Sequence, residues 1–147
     1  MLVWRLASSR YPPFSGEGAR LVGGRWNSAG QPLVYTSESL ALCLAECLVH
    51  VTGALPKDYI AIQIRVADKD CSELNAKKLI TGWQKDLALT RSLGDTWLAS
   101  EGSLALIVPS AVLPDSKNIL INPRHPRASI VRVVSQKPFT FDPRLRP

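Results

Sequence analysis

No apolar run in the chain approaches the roughly 20 residues that a membrane span requires. The opening Met1-Leu2-Val3-Trp4-Arg5 shows neither the n-region nor the h-region of a secretory signal, so the expectation is a cytoplasmic protein without membrane contact. Cysteine is scarce and odd in number. Cys43, Cys47 and Cys71 form no CxxC pair, which argues against a disulfide framework and against a zinc site. Cys43 and Cys47 stand at i and i+4, but no His or acid completes a ligand set, and no metal is expected. Only two histidines are available for imidazole chemistry. No Walker A sequence occurs. Gly16-Glu17-Gly18 opens a GxGxxG pattern that closes on Leu21 instead of glycine, with no strand before it and no helix after it, which excludes a Rossmann fingerprint. Repeats and long polar tracts are also missing. At 147 residues, 46% hydrophobic and 20% charged, the composition predicts a single globular domain over residues 1–147.

Eighteen Lys and Arg against twelve Asp and Glu give a net charge of +6, which attracts polyanions, nucleotides or an acidic protein alike. The cations are scattered rather than set in one stripe with interleaved aromatics, so direct nucleic-acid binding is not expected. The densest stretch is Gly23-Gly24-Arg25-Trp26-Asn27. Two glycines permit φ > 0 and close approach to the backbone, and the guanidinium that follows offers a planar fork suited to phosphate or carboxylate. Two readings stand: a ligand-binding cluster anchored by Arg25, or a tight turn with Trp26 in the core and Arg25 in solvent.

Residues 2–6 are rich in strand formers, with Arg5 between apolar neighbours, either carried inward or facing solvent from an edge strand. Residues 8–30 show no apolar period and read as a long loop. Residues 33–36 predict a short strand. Thr36 and Ser37 then offer N-cap oxygens to a helix over residues 40–51 that is apolar nearly all round and so expected to be buried. Glu46 is its only acid. It is either paired with His50 at i+4 or retained for a function despite burial, and the second is favoured. Residues 59–66 alternate as a half-buried strand. Residues 73–93 look helical with an interruption at Gly82, and Trp83 and Trp97 are expected in the core or a groove wall. Residues 104–108 form a central strand ending at Pro109, after which Ser110 is either a site hydroxyl or a turn cap. Residues 119–121, 130–134 and 139–142 are further strand candidates. The sum is a mixed α+β domain.

These blocks resemble the RES-domain toxins, a family named for an arginine, a glutamate and a serine. The match is carried by Gly-Gly-Arg-Trp-Asn, Tyr35-Thr36-Ser37, the Glu46 helix, Val108-Pro109-Ser110 and Asn122-Pro123-Arg124-His125-Pro126, and it runs to Phe141-Asp142-Pro143-Arg144-Leu145. The resemblance implies a central, largely antiparallel sheet flanked by helices, as in the diphtheria-type ADP-ribosyltransferases. It also implies an activity that consumes NAD as substrate, with no further cofactor, and a cognate antitoxin with an Xre-like helix-turn-helix in a toxin–antitoxin hetero-oligomer. The name-giving residues fall on Arg25, Glu46 and Ser110, a site tyrosine on Tyr35 and an early strand arginine on Arg5. Members differ in whether water, phosphate or a protein side chain accepts the ADP-ribosyl group.

In that frame Glu46 stabilises an oxocarbenium-like transition state, Arg25 and Arg5 hold the pyrophosphate, Tyr35 flanks the nicotinamide and Ser110 bonds the ribose. Trp26 and Asn27 are expected to contact the dinucleotide beside Arg25. His125 is expected to be structural. The competing classes are a nucleic-acid-binding or metal-free ribonuclease domain using His50 or His125, and a catalytically silent interaction module.

Overall fold

Alternation of β-branched residues builds the centre of the computed structural model, which describes residues 1–146. Seven strands form one sheet: β1 (Leu2–Ser8), β2 (Val34–Ser37), β3 (Tyr59–Arg65), β4 (Cys71–Glu73), β5 (Ala105–Pro109), β6 (Lys117–Ile121) and β7 (Arg132–Pro138). Their spatial order is β4-β5-β6-β2-β1-β3-β7. β4 runs parallel to β5 while the remaining neighbours pair antiparallel, so the sheet is mixed and not the largely antiparallel one expected. β4 escaped the sequence reading because three residues are too few to show a period.

The period-2 rule sorts the core onto two faces. Val3, Val34, Ile62, Ile64, Ala105, Ile119 and Ile121 pack on one side. Leu33, Leu106, Val108 and Leu120 face the other, beneath Trp26, Trp83 and Leu98. Each fully buried Ile or Leu contributes about 1.5–3 kcal/mol of hydrophobic stabilisation. Trp83 is in the core, as expected, and the Trp97 indole donates to Ser103 Oγ at 2.9 Å.

The sheet has a seam. β1 pairs with β3 along its whole length, and β2 with β6 along its own, yet β1 meets β2 through the single pair Trp4–Ser37. Across that gap Arg5 Nη1 donates to the Tyr35 carbonyl at 3.1 Å, replacing a ladder bond with a side-chain bond.

Three helices flank the sheet: α1 (Glu17–Val22), α2 (Leu40–Leu48) and α3 (Leu87–Ser100). Several boundaries differ from expectation, each for a local reason. α1 interrupts the long loop; it is one short exposed segment, which leaves no apolar period to read. α2 starts at Ser39, whose Oγ accepts from the Leu42 N–H at 3.1 Å, rather than at Thr36 or Ser37, which remain in β2. It ends at Leu48, and only Leu42 and Cys43 are buried within it. Its other apolar residues are partly exposed, so an apolar composition overstated its burial. Residues 73–93 are not one helix. They hold 3₁₀ turns at Ala76–Lys78 and Trp83–Lys85, and Asp86 then caps α3 by accepting from the Leu89 N–H at 3.0 Å. The tail forms no strand: after Phe139 N–H bonds the Tyr59 carbonyl, Phe139 and Phe141 stack edge to face and a 3₁₀ turn follows at Pro143–Leu145.

Candidate functional site

The double glycine makes a tight turn. Gly24 bridges Asn27 across Arg25 and Trp26, with Gly24 N–H donating to the Asn27 carbonyl at 3.0 Å. The reason for glycine at 24 is a side chain: a Cβ there would stand 2.5 Å from the Tyr35 hydroxyl and 2.9 Å from Asn27 Oδ1. That hydroxyl donates to Asn27 Oδ1 at 2.6 Å and accepts the Trp26 N–H at 3.0 Å. Burial pushes the Tyr35 phenol well above its ordinary range, so it stays neutral. Asn27 Nδ2 bonds the carbonyls of Ala19 and Gln31, both at 2.9 Å.

Two expected ligand contacts are therefore corrected. Trp26 is 1% exposed, its ring 6.0 Å from that of Trp83, and Asn27 is 0% exposed with its amide fully engaged. Both hold the turn's shape and present no surface to a dinucleotide. The Tyr35 hydroxyl is likewise committed to the turn.

Helix α3 fastens this turn from outside, a role the sequence reading did not assign to it. Arg91 Nε donates to the Gly24 carbonyl at 2.8 Å, and Asp95 accepts from Ser28 N–H at 3.0 Å and Ser28 Oγ at 2.5 Å. Gly94 between them lies directly on the Trp26 backbone. The one signal available was a glycine inside a helix, flanked by an Arg and an Asp spaced i, i+4.

Two guanidiniums expected at the site retain free donors. Arg25 is half-buried, and Nη1 donates to the Gln84 carbonyl at 2.9 Å. Arg5 bonds Tyr35 through Nη1, and its Nε is buried with no acceptor. Burial lowers the Arg5 pKa, although a guanidinium keeps its charge at any cellular pH.

The acid is oriented from two strands. Glu46 Oε1 accepts from Ser110 Oγ and from Asn118 Nδ2, each at 2.7 Å, while Asn118 Oδ1 accepts from Ser37 Oγ at 2.7 Å. Ser110 is 0% exposed, and its oxygen also receives the N–H groups of Val112 and Leu113. It caps the turn and orients the Glu46 carboxylate at once. Glu46 Oε2 has no protein donor among the described residues. The alternative partner His50 is exposed beyond the end of α2.

Arg25 and Glu46 are not joined by a hydrogen bond or ion pair among the described residues. The charges of Arg5 and Glu46 both act on the Cys43 thiol, which burial raises to about 11 and whose Sγ donates to the Trp4 carbonyl. Two hollows of about 250 and 350 Å³ lie elsewhere, one beside Trp83 and Lys117 and one beside Met1 and Arg132, and neither is lined by Glu46 or Arg25. The site is thus two polar clusters strung along β2. Tyr35 belongs to one and Ser37 to the other, on the same face and about 7 Å apart at the usual strand rise.

Residues 2–142 match the RES domain. The chain belongs to the RES-domain family. Its relatives include the Toxin Res of Yersinia enterocolitica, 36% identical with 99% of this chain and all of that protein covered, and the Toxin Res of Pseudomonas putida, 38% identical with 99% of both covered. The Prs ADP-ribosylating toxin of Sphingobium is 34% identical over 97% of this chain and 94% of its own length. Among solved structures, the crystal structure of the M. tuberculosis MbcT-MbcA toxin-antitoxin complex shares the fold, with a TM-score of 0.75 at 19% identity over 95% of this chain and 84% of that one. Within this RES domain two of the three residues expected to be name-giving, Glu46 and Ser110, touch directly. Arg25 belongs to the second cluster, held against the Trp83–Lys85 turn through Gln84.

Proposed function

We propose that this RES-domain protein is the toxin of a toxin–antitoxin pair and breaks the nicotinamide–ribose bond of NAD. The observation that carries the reading is Glu46: a carboxylate oriented by Ser110 and Asn118 through one oxygen, with the other free to meet a ribose hydroxyl. Relatives named as toxins, one of them ADP-ribosylating, support it.

As the glycosidic bond lengthens, its electron pair goes to the pyridinium nitrogen and nicotinamide leaves neutral. Positive charge then develops at the ribose C1′, where a fixed carboxylate lowers the barrier. The donors on Oε1 hold Glu46 in one rotamer. Arg25 and Arg5 clamp the phosphates, and Arg5 gains an acceptor for a buried N–H that lacks one. An acceptor, whether water, inorganic phosphate or a protein side chain, closes the bond to C1′ and loses a proton to solvent. The partner is an antitoxin with an Xre-like helix-turn-helix, and the toxin itself does not bind nucleic acid.

The ribonuclease alternative needs an available imidazole. His125 is 8% exposed with Nε2 on the Glu101 carbonyl and Nδ1 on the Arg127 N–H. The His50 side chain is exposed and takes no hydrogen-bond or ion-pair partner among the described residues. Incubating the purified protein with NAD and following free nicotinamide, with and without phosphate, tests the reading. Glu46→Gln is expected to keep the fold and lower turnover at least about 100-fold. Unchanged turnover in that variant removes Glu46 from the chemistry.

A further inference from the structure

Arg91 is a cation at the turn with no counter-ion among the described residues. Its Nε donates to the Gly24 carbonyl at 2.8 Å, and its Nη2 lies over Gly23, where a Cβ would approach it to 3.2 Å. Arg25 leaves the same turn with Nη1 on the Gln84 carbonyl at 2.9 Å. The charges of both guanidiniums act on the Tyr35 phenol. Neither arginine forms an ion pair among the described residues. Asp95, one turn from Arg91 on α3, is the obvious candidate, but Ser28 takes its two oxygens. A guanidinium carries five N–H donors. Each of these two spends one on a main-chain carbonyl, which fixes its direction and leaves the rest available.

We propose that Arg91 is a further phosphate-binding residue beside Arg25 and Arg5, and that with Arg25 it grips a pyrophosphate at the Gly23–Gly24 turn. This rests on the NAD reading above. The pyrophosphate of a dinucleotide bears one negative charge on each phosphate, and two planar forks anchored on the same turn suit that distribution. Arg25 comes from the turn itself and Arg91 from the helix that fastens it, so the same contact that anchors α3 aims the second cation. A single arginine would serve a monophosphate. The pair favours a dinucleotide.

The test is calorimetric titration of the full chain with ADP-ribose, inorganic pyrophosphate and AMP. Arg91→Gln is expected to weaken ADP-ribose and pyrophosphate by about 10- to 100-fold, the loss of one or two charge-assisted hydrogen bonds, and AMP by less than about threefold. Arg91→Lys, which keeps the charge and a donor but not the fork, should recover part of that affinity and controls for a folding defect in the first variant. Unchanged pyrophosphate affinity in both variants overturns the proposal. So do equal losses for ADP-ribose and AMP, which would reduce Arg91 to a brace for Gly24, and so does a wild-type protein that binds no pyrophosphate. A wild type that binds pyrophosphate but neither ADP-ribose nor NAD leaves the two-arginine site standing and sinks the NAD reading instead.

Discussion

Replacing Gly94 by alanine tests how the turn is built, because two rules give opposite signs. In an exposed helix the substitution stabilises by about 1 kcal/mol, since glycine loses more backbone freedom on folding. Gly94 is instead a buried residue of α3 lying on the Trp26 backbone. A Cβ there would sit 2.7 Å from the Trp26 carbonyl carbon and 3.1 Å from its Cα, and closer still to the carbonyl oxygen, all of them main-chain atoms that cannot rotate aside. α3 must retreat by on the order of 1 Å, an overpacking strain of about 1–3 kcal/mol. The retreat also stretches the bond from Arg91 to Gly24 and those from Ser28 to Asp95, each charge-assisted contact worth about 1.5–3 kcal/mol. Set against the helix gain, the net expectation is a loss of about 3–5 kcal/mol, or roughly 10–15 °C in melting temperature for a chain of this length. Near-UV circular dichroism during a thermal melt reads it, because Trp26 and Trp83 lie at the contact. A variant that melts at or above the wild-type temperature would refute the packing argument.

Tyr35→Phe removes the hydroxyl that joins Asn27 to the Trp26 N–H, leaving two buried groups unpaired; a destabilisation of about 2–4 kcal/mol by chemical denaturation is expected, and a neutral result would contradict the hydrogen-bonded turn. Asp70 is held below the usual carboxylate range, chiefly by its bond from Arg127. A depressed folded pKa contributes stability in full above the unfolded value of about 3.9 and loses it as pH falls through the folded value. Asp70→Asn should therefore lower the melting temperature at neutral pH and flatten its fall below pH 4; a profile parallel to wild type would show the pair to be inert. Burial raises all three thiols, Cys43 to about 11, so a thiol reagent at pH 8 should label Cys43 far more slowly in the folded than in the unfolded chain, and equal rates would place it in solvent. Arg146 Nη2 bonds the carbonyls of Leu48 and Val51 at the end of α2. Arg146→Ala is expected to speed amide exchange at residues 48–51 without moving exchange in α3; equal protection would show the tail to be a passenger.

Sequence patterns reported faithfully wherever a side chain's neighbours are local. The alternation at Ile60, Ile62 and Ile64 specified β3, and the apolar run at Leu104–Val108 specified β5, because burial on a sheet face imposes a period that survives without knowledge of the partner strand. Ser110 and Glu46 were legible for a related reason: a hydroxyl just past a central strand and a lone acid on an apolar helix each violate the local expectation, and here the two violations explain one another. What the sequence concealed is pairing over distance. Asn118 looks like an ordinary strand residue until β6 is laid beside β2 and its amide is found bridging Ser37 and Glu46. Arg91 and Asp95 look like solvent-facing helix charges until α3 is docked on the turn.

The conspicuous Trp-Asn pair failed as ligand contacts for the same cause. A large aromatic and an amide next to a double glycine serve a tight turn as well as a cofactor, and only burial decides; here both are sealed inside. The seam then determines how the surviving groups are used. If β1 and β2 paired along their length, Arg5 would have no reason to spend a guanidinium donor on the Tyr35 carbonyl, and Tyr35 would take a backbone partner instead. Because the ladder opens after Trp4–Ser37, strand β2 can carry one polar cluster at each end. The carboxylate assembly of Glu46, Ser110 and Asn118 gathers at Ser37, and the cation-bearing turn of Arg25 and Arg91 gathers at Tyr35. Tyr35 and Ser37 stand about 7 Å apart along the strand, and no ion pair joins Glu46 to Arg25 or Arg91 among the described residues, so each cluster keeps its charge unpaired.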